Sequence, residues 1–151
     1  MYINKLDTIK SYKETDIVRV SKNSEIPTII EENDPKTLYT YKGYVKELID
    51  GDTLWVTIDL GFSTRTTQKV RLRGINTSKI ETEQGKKAMN YLKRRLNPCS
   101  FIIIKTYYRD TYNRYVADLF YNKNEPDEAE VAKNGVYLNQ ELLDKGYADA
   151  Y

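Results

Sequence analysis

The sequence predicts a mainly β, α+β domain built as a small closed barrel. Three observations predict it: five short β-rich segments, turn residues at their joints, and one amphipathic helix between the third segment and the fourth. The first strand covers residues 40–49 and turns at Asp50-Gly51; the second covers 53–59 and turns at Leu60-Gly61; the third covers 66–75. Residues 82–96 then place Ala88, Tyr91, Leu92 and Leu96 at helical spacing among Lys and Arg, and Asn97-Pro98 closes the helix. Residues 101–108 and 115–121 read as the fourth and fifth strands, joined by a polar hairpin from Arg109 to Arg114. A polar acidic loop, 122–130, leads to a short C-terminal helix over 138–145, stopped by Gly146. The order βββ-α-ββ-α is that of a five-stranded OB-fold-type barrel, which closes its sheet edges and presents one face to oligonucleotides.

With 151 residues the chain suits one compact domain preceded by an arm. Residues 1–38 lack a sustained period, and Pro27 and Pro35 interrupt the region of its apolar stretches, 17–20 and 28–30. The arm is expected to be partly ordered or mobile, with an edge strand available at 17–20, and residues 39–151 are expected to hold the barrel domain. A hydrophobic fraction of 40% against 30% charged residues excludes intrinsic disorder of the whole chain. The first residues have no signal-peptide core and no apolar run approaches a membrane span, so no membrane partner is expected and a cytoplasmic location is the default. The lone Cys99 has no intramolecular disulfide partner and no companion for a metal site.

Charge is unevenly divided. Residues 39–120 hold fifteen Lys/Arg against eight Asp/Glu, whereas 1–38 hold six against seven and 121–151 hold three against seven. A segment near +7 suits a polyanion such as nucleic acid, although a solvated Lys-rich surface has the same composition. The basic helix residues Lys86, Lys87, Lys93, Arg94 and Arg95 are read as such a surface, and most of the fourteen tyrosines as structural.

Four segments carry a more specific signal: Ile49-Asp50-Gly51-Asp52-Thr53, Val70-Arg71-Leu72-Arg73-Gly74-Ile75-Asn76-Thr77, Asp110-Thr111-Tyr112-Asn113-Arg114, and the late run from Val136 to Leu143 with Gly146. In order and spacing they resemble the D-G-D-T turn, the R-L-x-x-(I/V)-D-T-P-E strand end, the D-K-Y-G-R hairpin and the late helix of the staphylococcal (thermonuclease-like) nuclease family. The resemblance covers residues 40–151. It implies an OB-fold endonuclease-like hydrolase acting on nucleic-acid phosphodiesters with Ca²⁺. Asp52 would hold the ion, with Asn76 and the Thr77 backbone as further oxygen ligands and Asp50 as a nearby structural carboxylate. Arg71 and Arg114 match the two phosphate-clamping arginines, whose planar forks grip two oxygens at once, and Tyr112 matches a nucleotide-contacting tyrosine. Taken singly, each motif has a plainer reading: a turn bonded to its own backbone, a solvated strand arginine, an ordinary hairpin cation.

The pattern departs where the family reads aspartate, threonine, proline and glutamate; here stand Asn76, Thr77, Ser78 and Lys79. One negative charge is lost from the metal set, which weakens calcium binding. The glutamate that would orient or deprotonate water is replaced by an ammonium, which accepts no proton near neutral pH. Glu81 and Glu83, two and four residues on, are the candidate substitute bases. Three outcomes stay open: weak Ca²⁺-assisted hydrolysis, a degenerate nuclease fold that binds single-stranded DNA or RNA, and a protein-interaction module docking through 125–130 and the arm. The family enzyme continues into another helix beyond the point matching Tyr151, and the arm is the expected replacement for that cover.

Overall fold

The structure is a computed structural model that describes residues 38–151, together with the backbone of two strands nearer the N-terminus, β1 (Val18–Arg19) and β2 (Thr28–Ile29). The chain divides into two units, Met1–Leu38 and Tyr39–Tyr151. In the first, β1 and β2 pair antiparallel, Val18 opposite Ile29. The edge strand expected at 17–20 falls partly on that pair, and the other expectations for the arm lie outside the described residues.

The second unit runs β3 (Thr40–Leu48), β4 (Thr53–Asp59), β5 (Arg65–Leu72), β6 (Ile75–Asn76), α1 (Glu83–Leu96), β7 (Ile102–Arg109), β8 (Tyr115–Tyr121), α2 (Glu128–Asn134), β9 (Val136–Tyr137), α3 (Leu138–Asp144) and β10 (Asp149–Ala150). The main sheet has the order β5-β4-β3-β7-β8, and a parallel pairing of β5 with β8 closes it into the expected five-stranded barrel. β9 extends β8 outside that ring. In β4 the burial alternates as the pleat requires: Leu54, Val56 and Ile58 point into the barrel, while Trp55, Thr57 and Asp59 are half-buried on the outside. Val70 and Leu72, Ile102 and Ile104, and Ala117 and Leu119 add the same inward faces from the other strands. α1 covers the barrel with Tyr91, Leu92 and Leu96, and α3 with Leu138 and Leu142. Each fully buried Leu, Ile or Val side chain contributes about 1.5–3 kcal/mol relative to exposure.

Two local expectations are corrected. The third strand is not continuous over 66–75: β5 ends at Leu72, the chain turns at Arg73-Gly74, where Gly74 has φ +71°, and it resumes as β6. The acidic segment expected to be a loop over 122–130 contains the start of α2, capped by the Asp127 side chain on the Ala129 N–H. α2 is short and buries one residue, Val131, against Phe101 and Ile103 on the outer side of β7. One buried side chain in seven residues leaves no helical period to read. Among the described residues no helix is long and apolar enough to cross a membrane.

Candidate functional site

Barrel closure assembles the site. β4 pairs with β5 so that Thr53 lies opposite Arg71, and the parallel register of β5 on β8 sets Arg71 beside Val116. The turn before β4, the end of β5 and the β7–β8 hairpin therefore meet at one end of the barrel, which brings three of the four sequence motifs together. Val70 and Leu72 point inward, so Arg71 and Arg73 both project from the outer face.

The first motif is a tight turn. The Asp52 N–H donates to Asp50 Oδ1 at 3.0 Å, and the N–H groups of Ile49 and Asp50 both donate to the Thr53 carbonyl. A Cβ on Gly51 would come within 2.8 Å of Thr77 Oγ1 and of Ala88 Cβ, so the turn packs directly on the 76–82 loop and on α1. Asp52 is buried and bonded at both oxygens: Oδ1 accepts from Thr53 Oγ1 at 2.8 Å, and Oδ2 accepts from the Thr77 N–H at 2.9 Å and Thr77 Oγ1 at 3.3 Å. Burial pushes the Asp50 carboxyl above its ordinary value, and the neighbouring Asp52 charge adds to the effect.

Arg71 lies across this turn. Its Nη1 donates to the carbonyls of Ile75 at 2.8 Å and Leu72 at 3.2 Å, its Nη2 donates to Asn76 Oδ1 at 3.1 Å, and Nη2 also stands 3.9 Å from Asp52 Oδ2. Its guanidinium packs 5.1 Å from the Tyr151 ring, brought there because β10 pairs with β6 and the Tyr151 N–H donates to the Gly74 carbonyl. Arg114 reaches the same place from the hairpin, donating to Asp110 through Nε at 2.7 Å and weakly to Thr53 Oγ1 through Nη1 at 3.4 Å. Tyr112 is exposed, and its ring lies 5.2 Å from the Arg114 guanidinium. Asp52, Arg71, Arg114 and Tyr112 thus occupy one neighbourhood, linked through Thr53 and Asp52.

Asn76 and Thr77 border that neighbourhood. Lys79, Glu81 and Glu83 are exposed on the loop that leads into α1. Glu83 stands at the start of α1, 3.8 Å from Lys86, and the structure gives neither glutamate a contact with Asp52, Arg71 or Arg114. The loop is held to the helix: Thr82 caps α1 by accepting from the Gly85 N–H, and a side chain at Gly85 would collide with the Lys79 carbonyl oxygen.

The calcium implied by the resemblance does not fit the donors present. Calcium takes six to eight oxygens and favours several anionic ones. Here the anionic oxygens are those of Asp52 and Asp50, Asn76 is a neutral amide, and the Arg71 cation already stands 3.9 Å from Asp52 Oδ2 and donates to Asn76 Oδ1. Among the described residues no group of three or more Asp, Glu, His or Cys side chains is gathered as metal ligands.

A groove of about 690 Å³ runs beside these residues, lined by Arg71, Arg73, Arg109 and Arg114 and by Tyr107, Tyr108, Tyr112 and Tyr151 among others. Sequence reasoning missed half of this wall. Asp118 on β8 is buried, and accepts from Arg73 through both Nε at 2.9 Å and Nη2 at 3.0 Å, from Tyr107 Oη at 2.6 Å and from Tyr137 Oη at 2.8 Å. Burial opposes its charge, but the bonds from Arg73 and the two tyrosines outweigh it and hold the carboxyl below the usual range. Burial and the bond to Asp118 push Tyr137 up to about 12. The available signal was a carboxylate inside the apolar run Tyr115–Tyr121, since a buried charge requires partners. Arg109 closes the groove, donating to Asn113 Oδ1 and Tyr115 Oη, both neutral.

A family model described as staphylococcal nuclease homologue matches residues 69–151, more than half of the chain. No curated protein matches it.

Proposed function

We propose, for a chain that belongs to the staphylococcal nuclease homologue family, that the groove binds single-stranded DNA or RNA along its phosphodiester backbone and that hydrolysis there is slow or absent. The observation that carries this reading is the groove wall itself, four arginines interleaved with four tyrosines at the mouth of an OB-type barrel. Cations that track phosphates, with aromatic rings beside them for bases, are the equipment of single-strand binding. Arg71 and Arg114 are the proposed phosphate contacts, with Arg109 supporting them, and Tyr112 is the proposed nucleotide contact.

The catalytic half of the family pattern is weaker. An exposed Lys79 stands where the family carries its glutamate, so the carboxylate that would take a proton from water is missing from that position. Loss of a general base removes about 10²- to 10⁴-fold in rate, and the candidate substitutes, Glu81 and Glu83, are exposed on the loop that leads into α1. The proposed binding mode rests on the arginines and does not call on calcium, for which the site supplies the carboxylates of Asp52 and Asp50 and a neutral amide at Asn76.

The test is equilibrium binding of short single-stranded DNA and RNA to the wild type, Arg71→Ala and Arg114→Ala across a salt series. The reading expects an affinity that falls steeply with salt, and a salt slope that drops by about one unit in each variant. Binding that ignores salt, or that both variants retain in full, would sink it. A parallel digestion with millimolar Ca²⁺ addresses hydrolysis: cleavage by wild type that vanishes in Glu81→Ala or Glu83→Ala would assign a working base and replace the binding-only reading.

A further inference from the structure

We infer that Arg73, backed by Tyr107 and locked by Asp118, is a stacking platform for one nucleobase of the bound strand, a proposal that rests on the groove binding single-stranded nucleic acid.

The argument begins with Asp118. A carboxylate that is only 5% exposed and receives four hydrogen bonds has one stable arrangement, because each missing bond would leave a polar group buried without a partner. Two of those bonds come from the Nε and Nη2 edge of Arg73, which fixes the plane of the guanidinium rather than merely its charge. A third comes from Tyr107, and the guanidinium lies 4.4 Å from the centroid of that ring. Arg73 is therefore a planar cation with one edge bonded and its central carbon over an aromatic ring.

Its remaining surface is open. The Arg73 side chain is 44% exposed, and both it and Tyr107 line the groove that Arg71 and Arg114 share. Arg71 near the end of β5 and Arg73 in the turn that follows it line the same groove, so a strand whose phosphate meets Arg71 runs past Arg73 within about one nucleotide step. A guanidinium plane held rigid before binding loses little freedom when a base stacks on it, and arginine planes are a common stacking surface for unpaired bases. Lys105 Nζ lies 5.8 Å from the Tyr107 ring, a second cation beside the same platform.

The experiment compares binding of an oligothymidylate of about ten nucleotides with binding of an abasic strand of equal length and charge. Wild type is expected to prefer the strand with bases by about tenfold. In Arg73→Lys, which keeps the charge but not the plane, that preference should fall to about threefold, the remainder belonging to Tyr112; Tyr107→Leu should lower it likewise, and Tyr107→Phe, which keeps the ring, should retain most of it. Tyr107 is partly exposed, so its variants decide the matter should Arg73→Lys fail to fold. An unchanged preference in Arg73→Lys and Tyr107→Leu, with wild type binding both strands, overturns the platform and leaves the groove reading standing. Wild type that binds neither strand overturns both.

Discussion

Asp110 holds Arg114 in place: its Oδ2 accepts from Arg114 Nε at 2.7 Å, while its Oδ1 accepts the backbone N–H groups of Tyr112 at 2.9 Å and Arg114 at 3.0 Å. One carboxylate thus shapes the hairpin and aims the side chain that the hairpin presents. Desolvation works against its charge, yet the bonds from the Arg114 backbone and side chain prevail and hold its carboxyl below the ordinary value. The turn needs a left-handed residue, and Asn113, at φ +60°, supplies it.

Asp110→Ala should therefore lower nucleic-acid affinity even though Asp110 itself is an anion that repels phosphate. The expected loss is about threefold to tenfold, with a stability cost of about 1 kcal/mol for the part-buried hairpin bonds. Binding titrations check the first and urea melts the second. A gain in affinity on removing the negative charge would show that aim matters less than net charge.

Asp118 makes the domain acid-sensitive. Its folded pKa is depressed, so its stabilisation is complete above the ordinary carboxylate value of about 4 and is lost as pH falls through the lower folded value. Urea midpoints measured from pH 7 down to pH 3 should fall more steeply for wild type than for Asp118→Asn, which has no proton to gain. Parallel curves would show that Asp118 contributes nothing to the acid limb.

Asn139 should be among the most sensitive polar positions. It is 1% exposed and ties α3 to the barrel: Oδ1 accepts the Leu119 N–H at 3.1 Å, and Nδ2 donates to the carbonyls of Arg73 at 3.0 Å and Ala117 at 3.2 Å. Asn139→Ala strands these backbone groups and is expected to cost about 3 kcal/mol in denaturant unfolding. A loss under about 1 kcal/mol would mean that water replaces the amide.

Gly85→Ala offers a test of sign. In a solvent-exposed helix interior the change stabilises by about 0.5–1 kcal/mol. Here the new methyl meets the Lys79 carbonyl oxygen, so the change should destabilise by about 2 kcal/mol and shift the loop that carries Thr77. Thermal melts decide the sign.

Much of this molecule follows from local pattern alone. Alternating strands such as β4, the amphipathic face of α1 and the turn at Asp50-Gly51 each encode their structure within a dozen neighbouring residues, because strand and helix periods are short. The motif residues Asp52, Arg71, Arg114 and Tyr112 were legible for the same reason, each lying in a short segment of fixed spacing. The departures from the family pattern at Asn76 and Lys79 lie in one such segment too.

Tertiary structure decided the rest. Arg73 and Asp118 lie 45 residues apart and meet only because β5 runs parallel to β8 at the closing seam of the barrel. Tyr107 and Tyr137 join them from β7 and β9, and Tyr151 reaches Arg71 through the pairing of β10 with β6. A charged residue in an apolar strand announces that it needs partners without saying which ones. That choice belongs to register and closure, which bring distant side chains within bonding distance and which no single segment contains.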